Sequence, residues 1–355
     1  MTKDRTPEEL AAGGRHAEVL KSVIREHGRS GEPVASQTVS RVAGIDLSPA
    51  TIRNLMAELE EWGLLEQPHT SAGRVPTDRA YRLYVDRLLA SPRRAPSQAK
   101  AIDRALVVGS AREIPELLTE ASRQLSQLSR QVGLVLAPDL RRVVVEHLEF
   151  VRLDGQRLVA ILVARSGVVH NRILHVDAAP QQDELDRASR YLSTELCGVT
   201  LAEMRERLRA RLSEERATYD RLMRRSLELG QQAIEPDDVL VDLFVDGASN
   251  LIGSPEFHEI DVIRSLFRTL EDKRTLIDLL SRMLSADGVQ VVIGSENPAG
   301  DLRRCSIVAS PYGNGERVMG TVGVVGARRM EYARAIALVD YLARALTRLL
   351  AGPPD

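Results

Sequence analysis

Aromatic residues are scarce in this chain: only 3% of its 355 residues are Phe, Trp or Tyr, so its cores are expected to be aliphatic. Cysteine occurs twice, at Cys197 and Cys305. That excludes a disulfide framework and a four-cysteine metal site, and it points to the reducing cytoplasm. No apolar run approaches the ~18 residues that a membrane span requires. The opening segment MTKDRTPEEL is polar and lacks the apolar core of a signal peptide. An excess of either charge is also missing, with 48 Lys and Arg against 50 Asp and Glu. Proteins that coat nucleic acid indiscriminately are strongly basic, so any nucleic-acid contact is expected on a small local surface. The common catalytic signatures are absent too: there is no GxSxG elbow, no HExxH helix and no Gly-Lys-Ser/Thr phosphate loop. The glycine-rich stretch Gly313–Val318 lacks the third glycine of a dinucleotide fingerprint, and its Asn314-Gly315 reads as a hairpin turn. The histidines are scattered, and His170 and His175 fall on opposite pleat faces of one strand. No enzyme activity, no metal and no cofactor are expected.

Against these absences stand 43% hydrophobic and 28% charged residues, ordinary for a globular protein, and a length sufficient for two or three domains. The first region, about Arg15 to Leu89, reads as short helices separated by turns. Ala90–Ser97, with two prolines and two arginines, has linker chemistry. The second region opens with a helical pattern over Ile114–Leu128. It continues as predicted strands over Val132–Ala137, Val143–Phe150, Leu158–Ala164 and Val168–His175, with Asp154-Gly155 as a hairpin signal, and closes with a helix over Glu184–Leu196. Helical spacing then dominates: an arginine-rich stretch over Glu203–Arg225, then Asp237–Phe244 and Glu259–Leu284. Strands resume at Val289–Ile293, Cys305–Ala309 and Met319–Val325, and a long helix, Tyr332–Leu350, ends before Gly352-Pro353-Pro354. Strands, helices, then strands again predict a helical block inserted into one α/β domain.

The stretch from Gly31 to Asp78 carries the functional signal. Val19, Leu20, Val23 and Ile24 stripe a first helix that is expected to stop near Gly28. Ser36 is an N-cap candidate for a short second helix over Gln37–Val42, ended by Gly44. Ser48 with Pro49 starts a third helix, about Ala50 to Trp62, whose buried stripe is Ile52, Leu55, Met56 and Leu59. Helix, short helix, turn and helix make the helix-turn-helix plan. The first turns of the third helix carry Thr51, Arg53 and Asn54, and its last turns carry Glu58, Glu60 and Glu61. The polar N-terminal end therefore suits a DNA groove, with Arg53 matched to a guanine edge and Asn54 to an adenine edge. Gly63 ends the helix. Leu64–Glu66 and Arg74–Pro76 read as two strands around a tip of His69, Thr70, Ser71, Ala72 and Gly73, the wing of a winged helix. Gly73 permits a sharp turn, Arg74 is expected near a phosphate or the minor groove, and Thr77 caps a further helix. The candidate DNA-contacting set is Ser36, Gln37, Thr38, Ser48, Thr51, Arg53, Asn54, His69, Thr70, Ser71, Gly73 and Arg74. The competing use of such a module is protein contact.

Three segments resemble the heat-inducible transcription repressor family (HrcA): GEPVASQTVS at Gly31–Ser40, IDLSPATIRNLMAELEEWGLLEQPHTSAGRVPTDRAYRLYVD at Ile45–Asp86, and VGVVGARRMEYARAIALVDYLA at Val322–Ala343. Leu55 and Trp62 depart from the family pattern, Leu55 adding to the apolar stripe and Trp62 reading as core. The resemblance implies a multidomain α+β fold: a winged helix-turn-helix domain (1–89), a linker (90–98) and a GAF-like α/β domain (99–198 and 288–355) interrupted by a mainly helical dimerising insert (199–287). It implies a homodimeric repressor of chaperone operons that binds an inverted-repeat operator on double-stranded DNA, with activity modulated by a GroEL-type chaperonin. The alternative is a metabolite-sensing winged-helix regulator with its ligand in the GAF-like domain. No convergent polar or aromatic set marks such a pocket.

Overall fold

A computed structural model describes residues 13–42, 47–69, 72–110, 114–138, 144–165, 169–214, 221–234, 242–252, 257, 260–285, 288–298, 300–313 and 318–351. Its elements form a mixed α+β structure in two compact units. One unit takes Met1–Val135, Leu243–Pro311 and Thr321–Ala345. The other takes Leu136–Asp242, Tyr312–Gly320 and Leu346–Asp355.

The first unit begins with four helices and a small hairpin. Helix α1 (Gly14–Ser30) buries Val19, Leu20, Val23, Ile24 and His27 on one face. It runs past Gly28 and stops where Gly31 turns left-handed (φ 76°), its amide donating to the His27 carbonyl. Helix α2 (Ser36–Val42) starts one residue earlier than expected. The Ala35 carbonyl accepts from Val39 N, so Ala35 takes the capping position and Ser36 lies inside the helix. Helix α3 (Pro49–Glu61) follows the expected plan: Ser48 accepts from Thr51 N, Pro49 is the first helical residue, and Gly63 follows in the left-handed region. Ile52, Met56 and Leu59 are buried, Leu55 only partly, and the half-buried Trp62 ring rests against His16 at 4.8 Å between centroids. Strands β1 (Leu65–Glu66) and β2 (Val75–Pro76) pair antiparallel with Leu65 opposite Pro76, and Arg74 bridges to Val34. Thr77 then caps helix α4 (Asp78–Ala90) by accepting from Ala80 N.

Helices α5 (Ala99–Ser110) and α6 (Ile114–Ser129) lead into a five-stranded sheet. Its strands are β3 (Val132–Leu136), β7 (Leu243–Asp246), β8 (Gln290–Ile293), β9 (Cys305–Gly313) and β10 (Val318–Ala327), in the order β7-β3-β10-β9-β8. Central β3 is buried throughout and β10 from Met319 onward, as a strand covered on both faces must be. The final helix α12 (Tyr332–Leu350) is joined to β9 by a hydrogen bond between the Tyr332 and Ser306 hydroxyls (2.7 Å). It is joined to α5 by one from Tyr341 to Asp103 (2.6 Å).

The second unit holds strands β4 (Val145–Arg152), β5 (Arg157–Ala164) and β6 (Val169–His175), antiparallel in that order, with Asp154 shaping the first turn as expected. Helices α7 (Gln182–Leu196), α8 (Leu201–Glu214) and α9 (Arg221–Ile234) follow. Leu148, Phe150, Leu158, Ala160 and Leu162 of the sheet share one core with Leu185, Leu192, Met204, Leu208 and Leu227 of the helices. The outer edge of β4 is closed by α7 side chains: Leu148 N donates to Ser193, Phe150 N to Ser189 and Arg152 N to Gln182.

Four expectations are corrected here. The strands of residues 145–175 do not belong to the sheet that resumes at Gln290; they form a sheet of their own. Their partners are sequence neighbours, β4 and β5 being joined by a tight turn at Asp154, and the helices that cover them follow directly. The interruption of the first unit therefore runs from Leu136 to Asp242 instead of from Val199 to Asp287, and it is α/β instead of mainly helical. The expected helix Asp237–Phe244 is replaced at its end by β7, and Glu259–Leu284 is broken into α10 (Ile260–Glu271) and α11 (Lys273–Arg282). Asp272 breaks it, accepting from Arg274 N as a cap. Gly44, Asn314-Gly315 and the middle of the predicted Glu203–Arg225 helix lie outside the described residues.

Candidate nucleic-acid interface

The third helix presents two faces. Ile52, Met56 and Leu59 point into the module, while Pro49, Ala50, Arg53 and Asn54 are exposed at its start. Ser48 Oγ accepts from the Thr51 amide at 3.1 Å and lies 2.9 Å from Thr51 Oγ1, so both hydroxyls sit at the helix N-terminus. No acid occupies the first turn. The partial positive charge of the helix end is therefore left for an external anion.

Two of the three acids at the other end are occupied internally. Glu58 accepts from His16 Nε2 at 2.7 Å, tying α3 back to the first helix. Glu60 receives Arg74 Nε at 2.8 Å and Nη2 at 2.7 Å on the same carboxylate oxygen. The Arg74 side chain is only 17% exposed. Arg74, expected near a phosphate or the minor groove, is paired in the structure with the Glu60 carboxylate, which holds it against the helix. The sequence alone did not show that Glu60 pairs with Arg74.

The hairpin is clamped on its other side as well. Val34 and Arg74 exchange both backbone hydrogen bonds, at 2.9 and 3.0 Å. A Cβ on Gly73 would lie 2.5 Å from the Val34 carbonyl carbon and oxygen. Gly73 is therefore required by close backbone approach, and a sharp turn is not what demands it. Gln67 Nε2 donates to the Ala72 carbonyl (2.9 Å), and Ala72 N donates to the His69 carbonyl (2.8 Å), which closes the tip. His69 is exposed there.

The structure brings Ser48, Thr51, Arg53 and Asn54 together at one end of α3, and it carries His69 at the tip of the hairpin packed beside that helix. Gln37 is exposed on α2 and Thr38 half-buried, but Ser36 is 9% exposed and faces the module interior. Thr70 and Ser71 lie outside the described residues. Among the described residues, no group of His, Cys, Asp and Glu is arranged to hold a metal, and no helix is long and apolar enough to cross a membrane.

The first unit thus carries a helical module whose third helix starts with exposed polar residues and no acid, beside a small hairpin. The family described as HrcA protein C terminal domain matches residues 115–336. A heat-inducible transcription repressor HrcA of Geobacter sulfurreducens is 42% identical over 338 residues, covering 95% of this chain and 98% of its own. Those of Syntrophobacter fumaroxidans (37% identity, 96% and 98% covered) and Sorangium cellulosum (39%, 94% and 97%) are similar at full length too. The chain belongs to the HrcA family of heat-inducible transcription repressors, a non-enzymatic family. A crystal structure described only as that of a hypothetical protein at 2.2 Å resolution superposes with a TM-score of 0.63 at 24% identity, covering 96% of this chain and 98% of that one. It supports the fold alone.

Proposed function

We propose that the chain is a cytoplasmic homodimer whose two N-terminal modules, read as winged helix-turn-helix domains, bind the half-sites of an inverted-repeat operator and block transcription of chaperone genes. One observation carries this reading: Arg53 and Asn54 are exposed on the first turns of α3, beside a capped helix N-terminus with no acid, while Glu58 and Glu60 are bound internally. Arg53 suits a guanine edge and Asn54 an adenine edge in the major groove. A single module reaches too few phosphates for tight selective binding, and two copies on a two-fold axis read two half-sites.

The strand order of the five-stranded sheet supports a GAF-like reading of the body. The three-stranded sheet supports the dimer. Its β6 edge exposes Val169 (59%) and Ile173 (54%), which stand beside the half-buried Val163 and Val159 of β5 on the face turned away from the helices. Apolar side chains gathered on one open sheet face suit a second copy of the chain. Dependence on a GroEL-type chaperonin fits the topology. Strand β3 must find neighbours more than a hundred residues later in the chain, so folding is slow and apolar faces are exposed on the way.

The test is fluorescence anisotropy of the purified chain on an inverted-repeat duplex from upstream of chaperone genes against a scrambled duplex. Refolding is carried out with and without chaperonin and ATP. A preference of about a thousandfold or more is expected for the repeat, with a higher active yield in the chaperonin arm. Equal affinity for both duplexes overturns the DNA reading, and equal yields overturn the chaperonin dependence.

A further inference from the structure

The N-terminal module is bolted to the body at a carboxylate that the DNA reading does not use. Asp78, the first residue of α4, accepts from Ser295 N (2.9 Å) and Ser295 Oγ (2.8 Å) on one oxygen and from Arg328 Nη1 (2.9 Å) on the other. The cup that receives it is shaped for a close approach: a Cβ on Gly294 would lie 2.5 and 2.7 Å from the two Asp78 oxygens. Burial by itself would raise the Asp78 carboxyl, but the Ser295 and Arg328 contacts outweigh it and hold the group below the ordinary carboxylate range.

Further contacts reinforce this attachment. Arg82 Nη1, one turn along α4, donates to the Val291 carbonyl of β8 (3.0 Å). Arg329 Nη1 donates to the Gly28 carbonyl of α1 (3.1 Å). The Tyr81 and Tyr332 rings lie 5.6 Å apart between centroids. Even the segment with linker composition is tied down, because Arg93 Nη1 meets Asp340 of α12 at 2.7 Å. A module on a free Pro- and Ser-containing tether would sample many orientations; this one is held in a single orientation on the body.

We propose that Asp78 is a specificity-determining residue that sets the spacing of operator half-sites. The proposal rests on the reading that the chain binds inverted repeats as a dimer. Mounting each head rigidly on its own unit removes the freedom of the head itself from the separation and rotation of the two α3 helices in a dimer. Adding two base pairs between half-sites moves one of them by about 7 Å and turns it by about 70° around the duplex. A head fixed to its unit follows that displacement less readily than a tethered one.

The experiment uses the full-length chain and the duplex it protects in a footprint, with the spacer between half-sites lengthened and shortened by two base pairs. Wild type is expected to lose about tenfold or more on each altered spacer. Asp78→Ala, and from the body side Arg328→Gln, are expected to lose less than about threefold on the same duplexes. Arg328→Gln leaves α4 and its Thr77 cap untouched, so it carries the test if Asp78→Ala does not fold. Spacer discrimination equal to wild type in a folded variant overturns the proposal. Variants that bind every spacer more tightly than wild type overturn it too, because the attachment would then be inhibitory. Wild type with no preference for an inverted repeat refutes the operator reading instead, which separates the two failures.

Discussion

Removing the charge of Arg74 distinguishes a phosphate contact from an internal strut. Two of its nitrogens converge on one Glu60 oxygen at 2.7 and 2.8 Å, and the side chains are 17% and 34% exposed. An exposed ion pair contributes about 0–1 kcal/mol, and a hydrogen bond to a charged group about 1.5–3 kcal/mol. This half-buried, two-pronged pair therefore falls at about 1–2 kcal/mol of coupling. The measurement is a double-mutant cycle of Glu60→Gln and Arg74→Gln, read by hydrogen exchange at the Val34 and Arg74 amides, which bond to each other's carbonyls. Either single variant is expected to speed exchange there by about 5–30-fold, and the double variant little further. DNA binding gives the second readout. In the strut account, Arg74→Gln weakens binding in the wild-type background and adds almost nothing once Glu60 is Gln, and the salt dependence keeps its slope. In a phosphate-contact account, the loss is the same in both backgrounds and the slope falls by about one. A coupling below about 0.5 kcal/mol, together with that shallower slope, refutes the strut.

Four further outcomes are expected. Gly73→Ala drives a methyl group into the Val34 carbonyl and breaks the paired backbone bonds there, costing about 1–3 kcal/mol in local exchange protection; unchanged protection of Val34 counts against the close-approach argument. Arg53→Ala, at an exposed position, is expected to leave the melting temperature unchanged and to reduce discrimination at one operator position by about 1–3 kcal/mol, as measured on a panel of single-base substitutions. A Val169→Asp, Ile173→Asp double variant is expected to sediment as a monomer with an unaltered circular dichroism spectrum, and a persistent dimer removes the β6 face from the interface. His27 titrates low, because burial and then Arg329 and Arg328 disfavour its charge, against the raising effect of the Glu32 carbonyl that Nδ1 meets at 3.0 Å. The folded protein then binds fewer protons than the unfolded chain below the ordinary value of 6.5. Stability from neutral His27 is complete above that value and lost as pH falls through the lower folded one. The stability advantage of wild type over His27→Gln is accordingly expected to shrink from pH 7 to pH 5, and a constant difference refutes it.

What could be read from the sequence was set by how local its cause is. The Ser48 and Thr77 caps, the Gly63 stop and the helix Tyr332–Leu350 are decided within a turn or two of chain, and the structure reproduces them. The break at Asp272 had the same local cause and was readable as an aspartate cap, but the continuous apolar spacing of Glu259–Leu284 outweighed it. Sheet membership is a different kind of fact. Val145–His175 and Gln290–Ala327 both read as strands, and nothing in either pattern says that they avoid each other, because partner choice depends on which helices close which face.

Charges follow the same rule of locality. Arg74 reads as an available cation because its sequence neighbours carry no acid; its partner lies 14 residues back, on another element. Asp78 reads as an ordinary first-turn helix acid, since its donors lie 217 and 250 residues away. Each is a unit charge whose partner lies on a distant element and so could not be read from its position. Arg53 and Asn54 are exposed as the sequence led one to expect, because they project from the start of α3, away from the stripe that anchors the helix, where periodicity alone keeps them clear of the core. The exposure of a charge at an element's outward face can therefore be read from sequence. A charge beside a glycine-bearing turn cannot, because such turns are where two backbones come close and an internal partner is within reach.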